Sequence, residues 1–228
     1  MKKGLNPNGL ILWESQRIVT ILTGLKRPSR NDKTGKLMQV FIFYKHELPS
    51  KAIKSGNDKV VCGDCKRRPL HASQHGGKPC YVLLWRGPDD VWRCWERGGY
   101  ARWNKETSIF NGNLVRFGAY GDPAYIPQDV VWSIAKASKG HTGYTHQWAD
   151  AMYFGYRKLF KASVDTEWER KRAKALGWST FRARGKDENL LEGEGVCPAS
   201  EEAGFRTKCE SCMACDGRGR DKAIIEHR

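Results

Sequence analysis

The chain has 228 residues, long enough to bury a core without cross-links, and no apolar run approaches the length of a membrane span. Its formal net charge is +15, concentrated in residues 1–105, which carry +13 against +2 for the remainder. A one-sided basic balance of this kind suits a polyanion, and nucleic acid is the usual one.

In chain order, the opening residues MKKGLNPNGLILWESQR hold only the apolar run Leu10 to Leu12, so no secretory leader is expected. RIVTILTGL (17–25) and KLMQVFIFY (36–44) are β-rich and predict a hairpin. The connection KRPSRNDKT contains Arg27, Arg30 and Lys33, and Lys36 follows Gly35, so its tip is basic, turn-prone and suited to gripping phosphate. The next stretch, VVCGDCKRRPLHASQHGGKPCYV, is rich in Gly and Cys with little periodicity, and a bound metal would supply its order. DDVWRCWERGGY predicts a short helix with an acidic start and a glycine end.

From about residue 113 the pattern alternates. LVRFGAYG (114–121), HTGYTHQW, KASVDT and STFRAR read as strands, while IPQDVVWSIAKAS, ADAMYFGYRKLF and EWERKRAKALG between them read as helices. Repeated βα units predict an α/β fold with a parallel sheet, open or curled into a partial (β/α) barrel, carrying an N-terminal β-hairpin and cysteine-rich metal-binding loops. Four segments are expected within one compact domain: a basic hairpin region (1–61), a cysteine-rich loop and helix (62–105), the β/α repeats (106–196) and a terminal cysteine cluster (197–228).

Polar residues gather where these strands end: Gly121-Asp122, then Tyr144-Thr145-His146, then Ser163-Val164-Asp165. In parallel α/β sheets ligand and catalytic groups collect at the carboxyl ends of strands. Asp122, His146 and Asp165 are therefore candidate acid, base or substrate-binding groups, with Gly121, Tyr144, Thr145 and Ser163 around a cofactor. Each also has an ordinary reading as a turn, cap or loop residue.

Eight cysteines in a chain of this size read as metal or cluster ligands rather than disulfides. Cys209, Cys212 and Cys215 form a continuous C-x2-C-x2-C, with Cys197-Pro198 upstream. Three thiols from seven residues suit one face of a 4Fe-4S cubane, whereas zinc more often takes two separated pairs. The second group is Cys62, Cys65 and Cys80. Cys94 either joins it, completing a four-thiolate zinc site with His71 or His75 as substitutes, or packs beside Trp92 and Trp95. Three cysteines on a cubane leave one iron open to a substrate or an amino-carboxylate cofactor.

The order Asn31-x-Lys33-x-Gly35 before a strand, C-x2-C, Cys80-Tyr81, a Gly-Asp-Pro at 121–123, Tyr144-Thr145, Ser163-x-Asp165 and a final CPAS with C-x2-C-x2-C resembles the phage and plasmid "gene product 88"-like proteins, over roughly residues 17 to 217. The resemblance implies a radical-SAM-like partial barrel with an iron–sulfur cluster near its mouth, in the cytoplasm of a bacterial host cell. It departs from radical SAM enzymes at the cluster loop, where a C-x3-C-x2-C is replaced by thiols spanning nineteen residues, which leaves S-adenosylmethionine use open. Three readings follow: an iron–sulfur enzyme acting on a nucleotide or nucleic acid, a nucleic-acid binder whose loops are organised by metal, or a protein that binds a host partner.

Overall fold

The structure is a computed structural model and describes residues 4–29 and 31–226. The chain opens with three antiparallel neighbours, β1 (Gly9–Glu14), β2 (Ile18–Thr23) and β3 (Met38–Tyr44). The expected hairpin is the β2–β3 pair. Val19 to Leu22 and Met38 to Phe43 are buried throughout, as a central strand covered on both faces requires. Strand β1 was not foreseen, because its apolar run is short and its pairing is with residues further along.

Three short helices carry the chain into the cysteine-rich stretch: α1 (Pro49–Ser55), α2 (Lys59–Cys62) and α3 (Pro69–Gln74). Helix α4 (Pro88–Glu96) is the expected one, with Asp89 and Asp90 in its first turn and Trp92 buried. A two-residue strand, β4 (Ala101–Arg102), then runs parallel to β1.

The alternating half follows as β5 (Leu114–Tyr120), α5 (Gln128–Ala137), β6 (Gly140–Thr142), β7 (Tyr144–Thr145), β8 (Lys161–Val164), α6 (Glu167–Ala175) and β9 (Thr180–Arg184). The tail adds β10 (Gly195–Val196), α7 (Cys209–Cys212) and β11 (Lys222–Ile225). Helix α6 is closed by a reciprocal capping box between Thr166 and Glu169.

Two details differ from the pattern. HTGYTHQW is not one strand: it breaks at Gly143 into β6, in the first sheet, and β7, in the second. A Cβ on Gly143 would stand 2.5 Å from the Phe160 ring, and its N–H donates to Cys215 O at 2.9 Å. ADAMYFGYRKLF forms a 3-10 segment over Ala151–Lys158 rather than an α-helix. It buries Tyr156 alone and leaves Met152 exposed, so no continuous apolar stripe holds it in α geometry.

The strands order as β4-β1-β2-β3-β5-β6 and β10-β11-β9-β8-β7. Pairings from β3 through β5 to β6, and throughout the second sheet, are parallel. The expected parallel sheet is thus two sheets meeting at Gly143, with β4 and β10 as outer edges and no closed ring. Strand β5 shows the consequence for function. Val115, Phe117 and Ala119 are buried in the main core, while Arg116 and Gly118 line a cavity on the other face, and Tyr120, part of that core, also borders the cavity.

Candidate metal centre

That cavity has a volume of about 860 Å³ and takes lining from both sheets, including Thr142, Tyr144, Ser163, Phe181 and Lys222. Cys62, Cys65, Cys80, Cys197, Cys209, Cys212 and Cys215 all line it. Cys94 does not. It lies beside Asn6, Gly99 and Tyr100, with Asn6 Nδ2 at 3.8 Å from its sulfur. His71 and His75 stack on each other at 4.2 Å, also away from the cavity. All eight cysteines are free thiols.

The first group is fixed by backbone bonds from three elements. Val61 O accepts from Asp122 N at 2.7 Å, Cys62 O accepts from Cys65 N at 3.1 Å, and Arg67 O accepts from Cys80 N at 2.6 Å. Gly63 lies between the first two thiols at φ +53°, where a Cβ would run into the Tyr125 hydroxyl and the Gln147 amide. Only glycine permits that turn. Burial pushes the Cys62 thiol well above its ordinary pKa, and Cys65, Asp58 and Cys80 push the same way.

The second group is assembled from distant segments. Cys197 N donates to Ala223 O at 2.8 Å, Cys209 N to Lys33 O at 2.9 Å, and Cys215 O accepts from Gly143. Burial raises the Cys215 thiol to about 12, against the opposing pull of the Tyr144 hydroxyl and the Lys161 ammonium. Burial and Cys197 raise Cys209, while Arg116 and Lys33 oppose. The seven thiols face one space. Thiols held protonated by burial make poor nucleophiles, whereas a metal displaces the proton.

The candidate polar residues separate on inspection. Asp122 is buried and both its oxygens are engaged: Oδ1 accepts from Ala124 N at 3.0 Å and Oδ2 from His146 N at 2.7 Å. Burial raises its pKa despite His146 nearby. His146 lines the cavity; burial would lower its pKa, but Cys65, Asp122 and Asp165 raise it to about 9. Gly121, Tyr144 and Ser163 line the cavity too, whereas Thr145 is buried behind it and accepts from Gln147 N at 3.0 Å. Asp165 accepts from Arg67 Nη2 at 2.6 Å and lines a neighbouring hollow of about 260 Å³ that His146 and Ser163 also border. The three strand ends therefore converge on two adjoining spaces rather than one.

The basic loop is only partly the free tip that its sequence implies. Arg27 is exposed, and Arg30 lies outside the described residues. Lys33 lines the cavity, and Lys36 N donates to Glu210 Oε2 at 2.7 Å, so residues 31–36 are docked on α7. Glu210, Arg116, Tyr120, Lys161 and Lys222 were not singled out in the sequence. The alternation in LVRFGAY carries the signal for Arg116 and Tyr120, since a strand with one face in the core presents the other to whatever it borders.

No family model, no curated protein and no solved structure matches the chain. The donor set that lines the cavity is seven cysteine sulfurs, a set of the kind that thiolate-binding metals take. Among the described residues no three His, Cys, Asp or Glu side chains converge on a single ion as they stand.

Proposed function

We propose that the chain is an iron–sulfur protein of phage or plasmid type, resembling the "gene product 88"-like proteins, with its two sheets acting as an open, partial (β/α) barrel. The observation that carries this reading is the lining of one cavity by seven cysteines. Cys197, Cys209, Cys212 and Cys215 would hold a fully ligated cluster, and Cys62, Cys65 and Cys80 one with an open iron. When bound, such a cluster supplies one-electron chemistry and, at an open iron, a seat for substrate or for the amino-carboxylate of S-adenosylmethionine.

The chain's own residues then have distinct tasks. His146, beside Cys65 and mostly buried in the wall, is placed to hold or pass a proton at its ring nitrogen. Ser163 and Tyr144 offer hydroxyls to a ligand, and Gly121 leaves its backbone open to one. Asp122 positions His146 through the backbone bond, and Asp165 orients Arg67. The substrate class favoured by the basic balance is a nucleotide or nucleic acid.

A second reading, a nucleic-acid-binding protein organised by metal (zinc in either group), is favoured by the exposed Arg27 and Lys36 beside α7. Metal and sulfide analysis of anaerobically purified protein separates the two. Roughly eight irons with matching sulfide per chain support two cubanes, and Cys80→Ser should then remove one EPR signal and leave the other. About two zincs without sulfide would overturn the iron–sulfur reading.

A further inference from the structure

Lys161 opens β8 and is fully buried. Its ammonium donates to Arg218 O at 2.9 Å, Arg220 O at 3.2 Å and Ser179 Oγ at 3.2 Å, three neutral oxygens. Among the described residues no carboxylate forms an ion pair with it. The nearby Asp221 is engaged by Arg170 at 2.9 Å, Lys174 at 3.1 Å and the Thr180 N–H at 2.9 Å. A buried cation without an anion in contact is costly unless charge of the opposite sign stands close behind its first neighbours. The backbone places it next to the four-cysteine group: Lys161 N donates to Gly143 O at 3.1 Å, and Gly143 N donates in turn to Cys215 O at 2.9 Å.

Arg116 completes the pattern from the other side. It lines the cavity from β5 together with Cys209, Cys212 and Cys215, and among the described residues pairs with no carboxylate. Around the three-cysteine group the adjoining cations have carboxylate partners: Arg68 with Asp58, Arg67 with Asp165 and Glu226, and His146 with Asp122 at 3.9 Å.

We propose that the four-cysteine group carries an anionic, electron-transferring centre and that Lys161 and Arg116 are its built-in counter-charges, holding its reduction potential above the value it would have without them. One-electron reduction adds one negative charge to the centre, and two fixed cations beside it favour that state. This inference rests on the iron–sulfur reading, and it makes both cations positioning residues rather than catalytic ones.

The test is an EPR-monitored potentiometric titration, with dithionite as reductant, of the anaerobic full-length protein and of Lys161→Met, Arg116→Gln and Arg116→Lys. With iron and sulfide content unchanged, the first two variants should shift the four-cysteine centre toward the oxidised form by about tenfold at fixed potential, which is about 59 mV for a one-electron couple. Arg116→Lys should restore most of it, and the three-cysteine centre should not move. If Lys161→Met fails to fold, the two Arg116 variants decide alone. Unmoved potentials in iron-loaded protein, or a shift confined to the three-cysteine centre, overturn the inference while sparing the iron–sulfur reading. Absence of iron and sulfide in the wild-type protein overturns both.

Discussion

At the residue scale, Asp122 shows how a site candidate can be a structural fastener. Its two oxygens tie the turn after β5 to the residue after β7, and its own N–H reaches Val61 beside the first cysteine. Asp122→Ala leaves two buried N–H groups short of acceptors, each costing about 1–3 kcal/mol. We expect lower stability in denaturant titration and loss of metal from the first group, and unchanged stability would refute the fastener role. This departs from the simple expectation that removing a catalytic carboxylate spares the fold. Gly63→Ala should be worse tolerated than its size suggests, since the side chain would enter the space of Tyr125 and Gln147. On the iron–sulfur reading, its readout is iron per chain.

At the element scale, the regular parts follow local rules and can be tested locally. Thr166→Ala removes the α6 cap and should cost about 1 kcal/mol, read as a lowered Tm with metal content intact. Asp221 clasps the approach to β11 through Arg170, Lys174 and the Thr180 N–H. Burial alone would raise its pKa, but these partners hold it below the ordinary 3.8. A depressed folded-state value means that its stabilisation is present above the unfolded pKa and is lost as pH falls through the folded one. Unfolding midpoints should therefore decline below about pH 4 less steeply in Asp221→Asn than in the parent, and identical acid profiles would rule out that contribution. Helices α4, α5 and α6 and strands β2, β3, β5, β8 and β9 were legible because each shows its own periodicity or end signals. Strand β11 was not, since KAII is four residues long and is defined by pairing with β9.

At the scale of the whole molecule, the terminal cysteine segment is held by contacts with residues 33, 143, 158–161 and 223, and has little regular structure of its own between Cys197 and Cys215. If metal supplies its order, chelation should expose Arg206 and Lys208 to trypsin, and cleavage there should be slowed by reconstitution. Equal cleavage with and without metal would indicate that the protein contacts suffice. For the nucleic-acid reading, affinity should fall steeply with salt, as phosphate neutralisation requires. A flat salt response would remove it.

The sequence alone determined the spacing of the cysteines, the basic bias of the first half, the hairpin and the βα alternation, because spacing, charge and periodicity are properties of neighbours along the chain. Tertiary structure decided that the two cysteine groups share a cavity, that Cys94 stands apart, and that the basic loop is partly docked on α7. It also put a buried lysine behind Cys215. Those facts depend on parallel strands bringing together residues as distant as Lys33 and Cys209, and on a break at one glycine. The cost and benefit of such approaches lie in packing and burial, which no local pattern encodes.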